Sequence, residues 1–140
     1  MDDMERFIDQ DRYARYLGVE ICRWSEGYAK AKLELNENHL NSVSTVHGGV
    51  IFSLADAAFS VASNSHGTVA VAIQVCISYF KAASSGTLYA EAKEVSRNPK
   101  LATYSIEVTE EDGSLLALFQ GTVYRKSNNL SNTFPHDKIE

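Results

Sequence analysis

The segment from Val50 to Ala62 constrains the fold more than any other part of the sequence. Its 13 residues are predominantly apolar on every side of a helix and are interrupted by one charged residue, Asp56. A helix that is hydrophobic all round is buried, either in a protein core or in a membrane. Because a helix needs about 20 residues to span a bilayer, we expect a buried core helix around which the rest of the chain packs.

Two features of this helix point to chemistry. Asp56 lies in its middle, and burying an unpaired carboxylate costs several kcal/mol. The position therefore requires a partner, a hydrated cavity or a functional role. His47-Gly48-Gly49 stands at the entrance of the helix, where unpaired backbone N–H groups and the positive end of the helix dipole point outward.

Composition narrows the class of protein. The chain has 140 residues, of which 44% are hydrophobic, enough for one domain with its own core. Its 13 basic and 18 acidic side chains give a net charge of −5, which argues against nucleic acid as a partner; a membrane partner is not expected either. Residues 1–6 lack the basic-then-apolar pattern of a signal peptide. Cys22 and Cys76 form no C-x-x-C motif and are expected to be reduced, buried thiols of a cytoplasmic protein.

Outside the central helix, the hydrophobic pattern predicts one N-terminal helix and an antiparallel sheet. The N-terminal helix is predicted over residues 3–17. Strands are predicted over residues 19–24, 28–35, 69–80, 87–96, 101–110 and 115–125. Periodicity ends after residue 126, so residues 1–126 are predicted to form a single domain and residues 127–140 a loose tail. The fold class is α+β, with one long buried helix against a large antiparallel sheet.

Taken singly, the motif residues have structural explanations. Gly48-Gly49 can form a tight turn, and His47 can be a structural histidine. A buried aspartate can belong to a hydrogen-bond network. No Lys-Ser/Thr follows the glycines, as a nucleotide-binding loop requires, and the G-x-S-x-G of a serine hydrolase is absent. A metal site is not expected, because no ligand spacing relates the histidines, which are His39, His47, His66 and His136.

Taken together, the residues and their spacing are specific enough to indicate a family. The spacing His47-Gly48-Gly49-(x)6-Asp56, with Asn41 six residues before the histidine, resembles the hotdog-fold thioesterases of the phenylacetate-degradation type. The resemblance covers roughly residues 40 to 125 and includes Leu54 to Phe59, Asn64-Ser65-x-Gly67 and Ile77-x-Tyr79. The sequence departs from the family at Ala72, where some relatives have a serine, and in the turn at residues 82–84, which lacks the usual proline.

The resemblance implies a hotdog fold, in which an antiparallel sheet wraps a long buried helix. It also implies hydrolysis of an acyl-coenzyme A thioester. The small side chains of the helix and Phe59 are compatible with a pocket for an aryl or medium-chain acyl group, and equally with packing against the sheet. Asp56 would act as nucleophile or general base, and the backbone N–H of Gly48 would form the oxyanion hole. His47 and Asn41 would orient the reacting groups. No cofactor is implied beyond the coenzyme A of the substrate. Substrate contacts are expected at Gly49, Ser60, Phe59 and Asn64.

The spacing of the two catalytic groups implies a site between subunits. Gly48 and Asp56 are eight residues apart, or about 12 Å along a helix with a rise of about 1.5 Å per residue. A reacting carbonyl needs both groups within roughly 3–3.5 Å. We therefore expect Asp56 of one subunit to face Gly48 of another, in an obligate homodimer or a dimer of dimers.

Two other functions are compatible with the same fold. The first is a hotdog dehydratase acting on acyl carrier protein, but such enzymes usually have a proline-rich approach to the helix, which residues 38–46 lack. The second is a non-catalytic acyl-CoA-binding protein, and this function would leave the buried Asp56 unexplained.

Overall fold

The computed structural model describes residues 1–134, which form three α-helices, six β-strands and two short 3-10 helices. The α-helices are α1 (Asp3–Asp9), α2 (Arg12–Leu17) and α3 (Gly48–Asn64). The strands are β1 (Glu20–Ser25), β2 (Tyr28–Glu34), β3 (Thr68–Tyr79), β4 (Thr87–Arg97), β5 (Leu101–Thr109) and β6 (Leu115–Asn129). The 3-10 helices span Glu37–His39 and Leu130–Asn132.

The strands form one antiparallel sheet in the order β1-β2-β4-β5-β6-β3. The two edges of this sheet are therefore β1 and β3. The sheet packs on α3, which contacts every strand. The predicted α+β class, with one long buried helix against a large antiparallel sheet, is confirmed.

Small side chains let the sheet lie close to α3. Alanines occupy alternate positions of β2 and β4, namely Ala29, Ala31, Ala90 and Ala92, and all of them are fully buried. Their short side chains leave room for the larger residues that the helix points at the sheet. The segment predicted as a core helix is thus a core helix, and no helix within residues 1–134 is long and apolar enough to cross a membrane.

Phe59 and Gly121 mark the tightest contact between helix and sheet. The ring of Phe59 lies 5.5 Å from the ring of Phe119 and 5.9 Å from that of Tyr104, measured between ring centroids. A Cβ placed on Gly121 would lie only 2.5 Å from the Phe59 ring. Gly121 is therefore required because no side chain fits between β6 and this aromatic ring.

The N-terminal region differs from the prediction of one helix over residues 3–17. The chain forms two helices, because Asp11 caps the start of α2 by accepting a hydrogen bond from the Ala14 backbone N–H at 3.0 Å. A capping aspartate stabilises a helix start more than a helix interior. Gly18 ends α2 in the left-handed conformation, as the sequence predicts.

The prediction of a loose tail from residue 127 is wrong for residues 127–134. β6 continues to Asn129, which pairs with Thr68 at the start of β3. Leu130 is then 1% exposed, and its backbone N–H donates to the Gly67 carbonyl at 2.9 Å. The hydrophobic pattern does not predict this extension, because its residues are polar and main-chain hydrogen bonds, rather than apolar side chains, hold it in the sheet. Residues 135–140, the rest of the predicted tail, lie outside the described residues.

The prediction of buried cysteines is also wrong. Cys22 and Cys76 are reduced, but both are exposed. They lie on the edge strands β1 and β3, where alternation places their neighbours Ile21 and Ile77 on the more buried face. The thiols therefore point to the outer face of the sheet.

The contact between Phe59 and Gly121 makes a stability prediction. Gly121→Ala forces a methyl group against a ring that the core prevents from moving, so we expect a loss of about 1–3 kcal/mol in the free energy of unfolding. Gln120→Ala, at an exposed position of the same strand, should change it by less than about 0.5 kcal/mol. Urea unfolding measures both values. Equal stability of the two variants would contradict this account of the core.

Candidate active site

The first turn of α3 leaves one backbone donor free. His47 is the N-cap residue, and its Nδ1 accepts a hydrogen bond from the Gly49 N–H at 2.8 Å. The N–H groups of Val50 and Ile51 donate to the His47 carbonyl. Within residues 1–134 no acceptor binds the Gly48 N–H. This donor lies at the positive end of the helix dipole, so it can polarise a carbonyl oxygen.

His47 therefore has a defined tautomer. Because Nδ1 accepts from Gly49, the proton of the neutral ring is on Nε2. The residue is exposed, so Nε2–H is available as a hydrogen-bond donor to a ligand. The predicted substrate contact at Gly49 does not extend to its N–H, which His47 already binds.

A groove opens beside Gly48. Its volume is about 340 Å³, and its lining residues are Val46, Gly48, Ile51, Tyr79, Phe80, Lys81 and Ala82. The Tyr79 hydroxyl donates to the Gly48 carbonyl at 3.0 Å, which fixes the helix start against the end of β3. Tyr79 had no predicted role, although Ile77-x-Tyr79 is part of the family resemblance.

Asn41 shapes the loop that leads to the helix. Its side-chain Oδ1 accepts from the backbone N–H groups of Val43 and Thr45 at 3.0 and 3.2 Å, and its Nδ2 donates to the Thr45 hydroxyl. The same loop is held to the helix start by His39, whose carbonyl accepts from the His47 N–H at 2.8 Å. Asn41 thus lies on the approach to α3, as predicted, with its amide engaged in loop hydrogen bonds.

Asp56 lies on the face of α3 that the sheet does not cover. Its side chain is partly buried, and its carboxylate makes no hydrogen bond or ion pair with any of residues 1–134. Burial raises the pKa of the Asp56 carboxyl above its ordinary value, and the negative charge of Asp11 raises it further. An unpaired carboxylate of raised basicity is suited to accept a proton.

Neighbouring side chains from α2 border this face. The Tyr13 hydroxyl lies 3.2 Å from the Ser53 Oγ, and Ser53 donates to the Gly49 carbonyl at 2.7 Å. Asp11 is close enough to act on the charge of Asp56. The contact between α2 and α3 was not predicted, because nothing local to either helix encodes it.

The other predicted substrate contacts separate into two groups. Ser60 is partly buried and lies one turn after Asp56 on the same face, so it stays a candidate contact. Phe59 is 1% exposed and belongs to the core. Asn64 is buried and ties α3 to β3, because its Oδ1 accepts from the Ala70 N–H at 2.9 Å. Phe59 and Asn64 therefore have structural positions here, since periodicity cannot tell which sides of an all-apolar helix face the sheet.

The remaining histidines also have structural partners. His39 is buried, with Nδ1 accepting from the Asn36 N–H and Nε2 donating to the Leu17 carbonyl at 2.8 Å. The His66 Nε2 lies 2.8 Å from a carboxylate oxygen of Glu94. Within residues 1–134 no group of three or more His, Cys, Asp or Glu side chains could hold a metal ion.

The Gly48 N–H and the Asp56 carboxylate do not share a site within one chain. They lie at opposite ends of two turns of α3, about 12 Å apart along the helix axis. One subunit thus offers a carbonyl-polarising donor at one place and a basic carboxylate at another.

Comparison with known proteins identifies the family to which the chain is similar. The family model of the Thioesterase superfamily matches residues 44–117. The acyl-coenzyme A thioesterase PaaI of Escherichia coli is 35% identical over 118 residues, which cover 84% of each chain. A protein of Archaeoglobus fulgidus is 48% identical over 124 residues, which cover 88% of this chain and 80% of the relative.

Solved structures agree. The E. coli PaaI protein from the phenylacetic acid degradation operon superposes with a TM-score of 0.88 at 31% identity, covering 91% of this chain and 93% of that one. A mutant of the phenylacetic acid degradation protein PaaI from Thermus thermophilus gives a TM-score of 0.80 at 38% identity, with coverage of 83% and 100%. These matches confirm the fold that the motif resemblance implies.

The raised pKa of Asp56 makes a prediction about stability and pH. The ionised carboxylate destabilises the fold above its folded-state pKa, and this cost disappears below the ordinary value of 3.8. We therefore expect Asp56→Asn to raise the Tm at pH 7 and the difference from wild type to vanish below about pH 4. Calorimetry across this range measures it.

Glu107→Gln, which removes an exposed carboxylate from β5, is the control and should leave the Tm unchanged at both pH values. A lower Tm for Asp56→Asn at pH 7 would show that the carboxylate has a stabilising partner.

Proposed function

Because this chain belongs to the thioesterase superfamily and is a thioester hydrolase, we propose that it hydrolyses acyl-coenzyme A thioesters at a site built between two copies of the chain. The fold is the hotdog fold. The substrate class rests on the 35% identity to the acyl-coenzyme A thioesterase PaaI of E. coli. One observation supports the arrangement of the site: the Asp56 carboxylate and the Gly48 N–H, neither of which has a hydrogen-bond partner among residues 1–134, lie too far apart on one helix to reach the same carbonyl.

The edge strand β3 supports assembly into a homodimer. Its main chain pairs with β6 on one side only, and Val71 and Ile73 are 40% and 58% exposed. A long edge strand with exposed apolar side chains is a template for pairing with another chain. Antiparallel pairing of two β3 strands would bring the two α3 helices side by side in opposite directions. Asp56 of each copy would then approach Gly48 of the other.

The proposed reaction needs one basic group and one oxyanion donor. As general base, Asp56 takes a proton from water while the water oxygen bonds to the thioester carbon. The carbonyl electron pair moves onto oxygen, where the partner Gly48 N–H stabilises it. When the carbonyl re-forms, the C–S bond breaks and its electron pair leaves on sulfur. The sulfur takes up the proton held by Asp56, which yields free coenzyme A and the acid.

The alternative role of Asp56 is that of nucleophile. A carboxylate oxygen then attacks the carbon, the thiolate leaves, and water hydrolyses the resulting anhydride. The raised pKa makes the Asp56 carboxylate both a stronger base and a stronger nucleophile, so it is compatible with either route. Both routes use the same residues and need no cofactor beyond the coenzyme A of the substrate.

His47 and Asn41 are proposed to act beside the carbonyl. The exposed His47 ring can donate from Nε2 to the substrate because Nδ1 is held by Gly49. Asn41 is proposed to act through the loop that it shapes, since its amide binds Val43 and Thr45. Ser60 is retained as a substrate contact. The protein is proposed to work in the cytoplasm as an obligate homo-oligomer, a dimer or a dimer of dimers.

The role of Asp56 makes the first activity prediction. Asp56→Ala should lower kcat by at least about 100-fold, because general bases contribute roughly 10²–10⁴-fold, while substrate still binds. A thiol-release assay with a panel of acyl-CoAs measures turnover, and calorimetric titration measures binding. Glu107→Ala removes an exposed carboxylate of the sheet and should retain full activity. If Asp56→Ala keeps more than a tenth of the wild-type kcat, the residue is not catalytic.

The second activity prediction is that two inactive variants restore activity together. An Asp56→Ala subunit keeps the Gly48 side of the site, and a Gly48→Val subunit keeps Asp56. The valine side chain would crowd the carbonyl and Tyr79, whose ring lies 3.4 Å from a Cβ built on Gly48. Each mixed dimer then contains one wild-type site and one doubly altered site. The purified mixed dimer should therefore have about half of the wild-type activity, and an unpurified random mixture, in which half of the dimers are mixed, about a quarter.

Differently tagged variants, co-expressed and purified through both tags, provide the mixed dimer. Homodimers in which both subunits carry the same substitution are the control and should stay inactive. A verified mixed dimer with no more activity than its parents would place both groups within one chain.

A further inference from the structure

The peptide groups on both sides of Gly48 are held by hydrogen bonds. In the preceding group, the His47 carbonyl accepts from two N–H groups of the first turn of α3. In the following group, the Gly49 N–H donates to His47 Nδ1 at 2.8 Å, and the Gly48 carbonyl accepts from the Tyr79 hydroxyl at 3.0 Å. Because each peptide group is planar, these contacts determine the direction in which the Gly48 N–H points.

Tyr79 is the contact that ties this turn to the sheet. Within residues 1–134, no other side chain of a strand forms a hydrogen bond with the first turn of α3. The end of β3 is itself fixed to β6, because the Phe80 N–H donates to the Leu116 carbonyl at 2.7 Å. Two glycines begin the helix without a Cβ to restrict their backbone, and helix ends open more readily than helix interiors. The Tyr79 hydroxyl therefore anchors the most mobile part of α3 to a rigid element.

The contact between Tyr79 and Gly48 has two separable parts. The ring packs on Gly48, since it lies 3.4 Å from a Cβ built on that residue. The hydroxyl supplies the hydrogen bond, and burial raises the pKa of Tyr79 above its ordinary value, so the hydroxyl keeps its proton at neutral pH. Phenylalanine at this position would keep the ring contact and remove the hydrogen bond alone.

We propose that Tyr79 is a positioning residue of the reaction, whose hydroxyl acts through the Gly48 carbonyl to aim the Gly48 N–H at the oxyanion. This role rests on the proposed acyl-coenzyme A hydrolysis, to which it adds the residue that fixes the oxyanion donor. A donor that is already aimed at the developing charge stabilises the transition state without reorganisation. Since that charge is absent from the bound substrate, a misdirected N–H lowers kcat rather than raising KM.

Tyr79→Phe tests the hydroxyl with the ring in place, and the retained ring keeps the variant folded. With the acyl-CoA that wild type hydrolyses fastest, we expect kcat to fall about threefold to tenfold, as for one lost hydrogen bond. KM should stay within about twofold of the wild-type value. Circular dichroism and the Tm establish that the variant is folded.

Tyr124→Phe is the matched control. Tyr124 lies on β6 and is 44% exposed, against 49% for Tyr79. Its hydroxyl makes no hydrogen bond with any of residues 1–134. This variant should keep the kcat and KM of wild type.

A carbonyl probe reports the donor directly. The probe is a ketone analogue of the same acyl-CoA, in which a methylene group replaces the sulfur and the carbonyl carbon is isotope-labelled for NMR. In wild type, polarisation by the Gly48 N–H should move the carbonyl signal downfield of its position in water. Tyr79→Phe should move the signal back toward that position, and Tyr124→Phe should leave it unchanged. A purely structural role of Tyr79 would lower the Tm without moving the signal.

The outcomes separate the role of Tyr79 from the proposed function. If Tyr79→Phe keeps kcat within about twofold of wild type, or leaves the carbonyl signal at its wild-type position, Tyr79 does not position the donor and the proposed hydrolysis stands. A rise in KM as large as the fall in kcat would also overturn the role. If wild type itself does not move the signal, or hydrolyses none of the acyl-CoAs, the Gly48 donor or the substrate class is wrong, and the role of Tyr79 is overturned with it.

Discussion

α3 presents apolar side chains in nearly every direction, so a sheet that curves around it covers only part of its surface. Alanines on β2 and β4, and Gly121 on β6, let the sheet approach closely on one side. The N-terminal helices α1 and α2 cover part of the other side of α3. The strip that carries Asp56 and Ser60 is left partly buried within one chain. The need to cover the helix thus links the fold and the proposed dimer.

The same helix supplies both groups that the proposed reaction needs, which are a hydrogen-bond donor for the carbonyl oxygen and a basic carboxylate. Its N-terminus holds a free Gly48 N–H at the positive end of the dipole, and His47 satisfies the next donor, on Gly49. Two turns later, Asp56 is held in surroundings that disfavour its charge, which raises its basicity. In the proposed reaction these two groups are sufficient without a Ser-His-Asp relay, because a thioester has a good leaving group.

Much of this fold was predictable from the sequence, because its elements have strong local signals. The all-apolar helix and the alternating strands appear within one or two residues of their predicted positions at most ends. Asp11 was an available signal for the break between α1 and α2, since aspartate favours caps over helix interiors. The end of β6 was not predictable, because its polar residues are held by pairing with β3. Nor was the position of Phe59, since an all-apolar helix has no polar side to orient it.

The parts of the site that the sequence could not predict are those made by contacts between distant segments. The Tyr79 hydroxyl donates a hydrogen bond to the carbonyl of Gly48, which is 31 positions earlier in the sequence. Asp11 comes close enough to act on the charge of Asp56 because α2 packs on α3. Replacing Asp56 with an apolar residue would remove its desolvation cost, so we attribute its presence to the proposed catalytic role. A carboxylate whose pKa is raised by burial and that lies on a strip of the helix left uncovered by the sheet has the properties expected of a catalytic base completed by a second copy of the chain.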